Sequence, residues 1–208
     1  MNRKSRTIFL IIDLLLAAVL VFIDRLTKNL AYANLKDKDP IRLIPDVFEF
    51  RYLENRGAAF GMLQNMKVLF VIVGIVFIGL VVYFLIRLPA TKKYRALRIC
   101  LVLIGAGAVG NLYDRLVQDY VIDFLYFIYI DFPIFNVADI YVTCSAVYLI
   151  ILFLFIYKDD DLDLKKANTV KLHSSMVEEK EDREEKEEKE EKEEKEEKED
   201  REETPDGE

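Results

Sequence analysis

Four long apolar runs decide most of what this chain can become. Residues 7–23 are interrupted only by Asp13, and residues 68–86 carry no charge. Residues 99–113 are also uncharged and extend past Asp114 and Arg115 to Val117, and residues 140–157 form the fourth run. A bilayer core is crossed by about 20 helical residues, with a usual range of about 17 to 25. Two runs meet that length outright, and two meet it once their polar ends sit at the interface. Helices of a soluble core would interleave polar residues at helical spacing, and these runs mostly do not. The expected fold is an all-α membrane protein with four transmembrane helices, over about residues 7–23, 68–86, 99–117 and 138–157.

Charge divides the chain differently. Residues 177–208 hold 20 acidic and 8 basic side chains, whereas residues 1–176 hold 16 acidic and 21 basic, so the net charge of -7 comes from the tail. The basic surplus of the body is scattered over short loops and offers no continuous patch for nucleic acid. From Lys180 to Arg201 every third residue is Lys or Arg, with acids between. On a helix each interior Lys meets Glu four residues away on both sides, but no apolar face exists with which to pack. The expected organisation is a membrane domain over residues 1–157, followed by a polar linker and Glu/Lys-rich cytoplasmic tail over residues 158–208. That tail is read as disordered or as a single solvated helix.

Loop charges orient the helices. Three Lys/Arg precede the first run, five lie in residues 87–98, and none lies in residues 116–137. Positive loops stay cytoplasmic, so both termini and the middle loop are expected inside and the other two loops outside. Residues 24–67 resist with eight Lys/Arg, but six acids accompany them and the rule weakens for a folded segment. The first run follows a basic stretch like that of a secretory signal, yet it ends in "DRLTKNLA" rather than a small-residue cleavage site. A retained helix is expected. Cys100 and Cys144 fall within helical runs as small packing residues, and His173 stands alone after the last run. That inventory suggests no metal site, cofactor, disulfide or Ser-His triad.

Residues 41–61, "IRLIPDVFEFRYLENRGAAFG", alternate like a strand, with Phe48, Phe50 and Tyr52 on one face and Glu49 and Arg51 on the other. A small extracytoplasmic sheet or hairpin resting on the membrane surface is expected there. The small residues of "LIGAGAVGN" in the third run are read as helix packing.

Polar residues gather at the predicted outer ends of the helices. Asp24 and Lys28 are four apart, as are Asn111 and Arg115, while Asn136 and Asp139 are three apart. Each pair therefore shares a helix face. Asn55 lies in the first outer loop, and Asp123 sits among Val121, Ile122 and Phe124. Bland readings exist for each: an ion pair for Asp24 and Lys28, a helix cap for Asn136, a first-turn acid for Asp139, and snorkelling for Arg115. Together they are harder to dismiss, because ionisable residues within a membrane segment are functional candidates. Asp123 and Asp139 lie in apolar sequence with no adjacent cation. Two carboxylates brought close share a proton, so one can take a proton from water while the other polarises a carbonyl. Arg115 and Lys28 would then hold a carboxylate ionised, and the asparagine amides would fix orientation.

The blocks "DRLTK", "ENRGAAFG", "GNLYDRL…VIDF" and "FNVADI" resemble, in order, the signature blocks of lipoprotein signal peptidase, or signal peptidase II. The resemblance covers about residues 8–157. It implies a bacterial inner-membrane aspartic endopeptidase that cuts diacylglyceryl prolipoproteins just before the lipidated cysteine, with its active site at the outer membrane face. It assigns the catalytic dyad to Asp123 and Asp139, with Asp24, Lys28, Asn55, Asn111, Asp114, Arg115 and Asn136 supporting dyad or substrate. It implies no metal or cofactor, membrane lipids as surroundings, and a monomer. Arg56 departs from the pattern, and the charged tail has no counterpart in it. Two other classes fit the residues less well. A small transporter would place its acids near mid-bilayer, where only Asp13 lies, and a non-catalytic adaptor would act through its tail.

Overall fold

No proline falls within any of the apolar runs, so nothing removes a donor from a continuous helix there. The computed structural model describes residues 3–57, 66–89 and 91–157, all within one unit spanning Asn2–Lys158. The tail and His173 lie outside the described residues. The helices are α1 (Arg3–Leu35), α2 (Lys67–Arg87), α3 (Arg95–Gln118) and α4 (Val137–Phe155). The strands are β1 (Ile41–Ile44), β2 (Phe48–Asn55) and β3 (Val121–Phe127). Each helix contains a stretch long and apolar enough to cross a membrane.

Helix α3 is central and packs against α1, α2 and α4. The outer helices expose Leu14, Val68 and Leu154 at about 70%, while Asp24, Lys28 and Asp114 are 0% exposed. Apolar groups outside and ionisable groups inside is the arrangement that a lipid solvent favours. Two glycines of α3 make close packing possible. A Cβ at Gly107 would stand 2.5 Å from the Ala138 carbonyl oxygen, and one at Gly110 would stand 2.4 Å from Asp24 Oδ2. The small-residue stretch is thus a packing surface, as its composition suggests.

Helix α1 continues well past the end of its apolar run at Ile23, where the sequence pattern placed its end. At about 1.5 Å per residue its 33 residues span roughly 50 Å, more than the roughly 30 Å hydrocarbon core. The extra turns carry Ala31 and Leu35 into a cluster with Ile122, Phe124 and Leu125, against which Phe48, Phe50, Tyr52, Phe135 and Val137 pack. The helix extends because its last turns have a sheet to bury against.

That sheet is antiparallel in the order β1-β2-β3. The β1–β2 hairpin lies inside the segment whose alternation predicts strands, and residues 58–65 lie outside the described residues. Strand β3 goes beyond that prediction. Its residues 121–125 are all buried, so it reads in sequence as a continuous apolar run with one acid rather than as an alternation. At the opposite end of the bundle, Arg98 pairs with Asp13 and donates to the carbonyls of Leu85 (3.1 Å) and Leu88 (3.3 Å) at the end of α2.

Candidate active site

Strand β3 and the first turn of α4 bring Asp123 and Asp139 to one cavity. Asp123 sits opposite Leu53 of β2, and Asp139 occupies the third position of α4. Asn136 caps that helix. Its side chain accepts from the Asp139 backbone N–H at 3.1 Å, and Asp139 Oδ2 accepts from the Asn136 backbone N–H at 3.1 Å, completing a capping box. The Asn136 amide also donates to Asp123 Oδ1 at 2.6 Å, so the cap joins the two acids. Asn55 donates to Asp123 Oδ2 at 2.8 Å, and its own oxygen is held by the Gly57 N–H at 2.9 Å. Asn111 donates to Asp139 Oδ1 at 2.8 Å. The helix-cap reading of Asn136 and Asp139 is correct, and it accompanies a second role.

A second cluster lies beneath, built from α1 and α3. Lys28 Nζ is 2.8 Å from Asp24 Oδ2 and donates to Asn111 Oδ1 at 2.9 Å. It also lies 2.9 Å from Asp114 Oδ2, in an ion pair without a hydrogen bond's alignment. Arg25 pairs with the other Asp114 oxygen and covers the Tyr113 ring at 4.6 Å. Asp24 Oδ1 accepts from the Ala138 backbone N–H at 3.1 Å, which fastens the start of α4 to α1.

Lys28 and Arg115 do not touch the dyad directly, although the charge of Lys28 still favours the ionised form of Asp123, as its position in the sequence suggests. Among the described residues, neither forms an ion pair with Asp123 or Asp139. Lys28 is taken by Asp24 and Asp114 and reaches Asp139 only through the Asn111 amide. Arg115 donates to the Asn111 and Gly57 carbonyls, each at 3.2 Å, and lies 4.7 Å over the Phe70 ring. The backbone oxygens around it capture its donors, so it braces the wall of the cavity.

The cavity has a volume of about 450 Å³. Asn55, Asn111, Arg115, Asp123 and Asp139 give it a polar end, and Phe132, Pro133, Ile134, Phe135 and Ile140 an apolar wall. Burial pushes the Asp123 carboxyl up to about 7, and the charge of Asp139 adds to the rise, while hydrogen bonds from Asn55 and Asn136 pull against it. A carboxyl that keeps a proton near neutrality, sharing a cavity with a second carboxylate, suits acid–base work on a polar bond.

Some participants escaped the sequence reading. Arg25 pairs across 89 positions and has no local signal. The apolar wall comes from a connection with no periodicity. Cys144, read as a packing residue, is exposed and lines the cavity. Asp13, the one deep acid that a transport path would use, is paired with Arg98.

Comparisons with known proteins show the family to which the chain belongs. The sequence model of the family described as Signal peptidase (SPase) II matches residues 16–155. The lipoprotein signal peptidase of Clostridium tetani is 39% identical over 157 residues, covering 74% of this chain and 97% of that protein. That of Caldanaerobacter subterraneus is 43% identical over 144 residues, covering 68% and 95%. A bacterial membrane enzyme solved by the in meso method at 2.3 Å resolution superposes with a TM-score of 0.61 at 32% identity, over 68% of this chain and 87% of that one. A second, at 1.9 Å, gives 0.60 at 31% identity, over 70% and 94%.

Proposed function

The chain belongs to the signal peptidase II family, and on that premise we propose that Asp123 and Asp139 are its catalytic dyad. It is a multi-pass membrane aspartic peptidase that removes signal peptides from lipoprotein precursors. The finer reading is that it cuts diacylglyceryl-modified precursors just before the lipidated cysteine. Both termini face the cytoplasm, and the sheet and cavity face outward. The enzyme acts as a monomer among membrane lipids, and residues 158–208 form a cytoplasmic extension outside the catalytic machinery.

One observation carries the dyad. Both aspartates line one cavity and are held by amide and backbone donors rather than by cations. In the resting pair Asp123 holds the shared proton, because burial and the neighbouring charge both favour its neutral form. Asp139 is the ionised partner, with one oxygen fixed by Asn111 and the other by the Asn136 backbone. Asp139 takes a proton from water as the water oxygen attacks the scissile carbonyl carbon. Asp123 donates its proton to the carbonyl oxygen, giving a neutral tetrahedral diol. Collapse breaks the C–N bond, the leaving nitrogen takes the proton that Asp139 gained, and a diol proton returns to Asp123. Water is added across one peptide bond, and the pair regains its starting protonation. Asn55, Asn111 and Asn136 keep the two carboxyls in register, and Asp24, Lys28 and Asp114 hold Asn111 and the start of α4. Arg115 fixes the Gly57 carbonyl beside Asn55.

The test is cleavage of a synthetic diacylglyceryl lipobox peptide by the purified full-length chain. Asp123→Asn and Asp139→Asn should each stop cleavage while inserting normally into membranes. Undiminished cleavage by either variant overturns the dyad.

A further inference from the structure

One buried carboxylate takes no part in the site described above. Glu49 of β2 is 2% exposed and stands opposite Tyr126 of β3. Arg51, two residues along the same strand face, brings Nη2 within 2.6 Å of Glu49 Oε1, an ion pair rather than an aligned hydrogen bond. Its guanidinium also lies 4.7 Å over the Tyr126 ring. The Tyr126 hydroxyl in turn donates to Asp131 at 2.6 Å. Burying a carboxylate is costly unless it is paired, and here the pairing restrains a side chain that stays 46% exposed. A guanidinium fixed by a ring and a carboxylate, with several of its five donors still to place, is preorganised to bind an oxygen acceptor.

Its location gives that acceptor an identity. Arg51, Tyr126 and Asp131 line a cleft of about 260 Å³ together with Phe132, Pro133 and Ile134. The same three residues, 132–134, line the aspartate cavity. The two spaces are therefore separated by one short wall. An extended peptide advances roughly 3.4 Å per residue, so a cavity of this size holds only a few residues and both ends of a bound chain leave it. The signal-peptide side is apolar and stays with the bilayer, whereas the mature side is polar and needs a polar route.

We propose that the Arg51 cleft receives the mature-side segment of the precursor, the residues just after the cleavage site. Arg51 holds a main-chain carbonyl or an acidic side chain of that segment. The inference rests on the peptidase reading above and adds a substrate subsite to it. Its test uses the full-length enzyme and two diacylglyceryl lipobox peptides, one ending at the modified cysteine as an amide and one continuing several residues beyond it. Arg51→Gln should raise KM for the longer peptide about tenfold, the loss expected for one charge-assisted hydrogen bond. It should leave kcat and both constants for the shorter peptide unchanged. Arg51→Lys, which keeps the charge without the planar fork, should fall between. An unchanged KM on the longer peptide overturns the inference, and so does an equal loss on both peptides, which would make Arg51 a support of the sheet. If the unsubstituted enzyme cuts neither peptide, the peptidase reading itself falls and takes this subsite with it.

Discussion

Four acids, Asp24, Asp114 and Asp123 buried and Asp139 half-buried, stand close together, and they are held in two different ways. Asp24 and Asp114 are paired with the cations Lys28 and Arg25. Asp123 and Asp139 are held by the amides of Asn55, Asn111 and Asn136 and by a backbone N–H. An ion pair within apolar surroundings fixes both charge and geometry, and removing one partner is costly because the other is left uncompensated. Amide donors fix the geometry and oppose the effect of burial without cancelling it, leaving the Asp123 carboxyl able to change its protonation state near neutrality. Proximity to the membrane does not distinguish the pairs; the chemistry of their partners does. Lys28 joins them through Asn111, so the rigid cluster orients the reactive one.

Substitutions that exchange the two behaviours would break this contrast. The largest effect is expected at the amide-held pair, where Asp123→Asn or Asp139→Asn should lower the cleavage rate about 10⁴-fold or more, followed by mass spectrometry of the released peptide. Lys28→Met attacks the cation-held pair. It should destabilise the protein by about 3–5 kcal/mol, seen as a lower unfolding midpoint in detergent, and a variant as stable as the parent would contradict the ion-pair role. Asn136→Ser separates capping from orientation, because serine still caps α4 but no longer donates an amide to Asp123. The expected outcome is about a 10²-fold loss of rate with little change in unfolding midpoint, by analogy with losing one preorganised donor.

Proton linkage sharpens the contrast further. The folded Asp123 carboxyl sits near 7 against an ordinary 3.8, so between those values the native state binds a proton that the unfolded chain has released. Stability contributed by this group therefore falls as pH rises from about 4 to about 7 and is level above that. Unfolding midpoints measured across this range should lose that slope in Asp123→Asn, and an unchanged slope would assign the titration elsewhere. The smallest effect is expected from deleting residues 177–208, which should leave the cleavage rate unchanged, whereas an adaptor acting through its tail would lose its function.

Much of this was legible before any coordinates. Spacing of four in Asp24 and Lys28, and of three in Asn136 and Asp139, puts partners on one face whatever the helix packs against. Contacts between elements were not legible in that way. Arg25 finds Asp114 only because α1 crosses α3 at that level, and the partners of Lys28 and Arg115 depend on which oxygens packing brings closest. Strand β3 was hidden because a strand buried on both faces loses its alternation. Alternation put Glu49 on the strand face opposite the aromatics, beside Arg51, and gave no sign of its burial, which the Arg51 guanidinium over the Tyr126 ring accompanies. The length of α1 was missed for a related reason. Its last turns are stabilised by a sheet from later in the chain.

The most direct test sets the four aspartates side by side. Each is changed to asparagine in the full-length enzyme, and cleavage of one diacylglyceryl lipobox peptide is measured alongside the unfolding midpoint of each variant. The account predicts that Asp123→Asn and Asp139→Asn abolish cleavage while lowering the midpoint little. It predicts that Asp24→Asn and Asp114→Asn mainly lower the midpoint, with cleavage retained by whatever fraction stays folded. Cleavage surviving in either of the first two, or abolished in a fully folded Asp114→Asn protein while Asp123→Asn stays active, would contradict it.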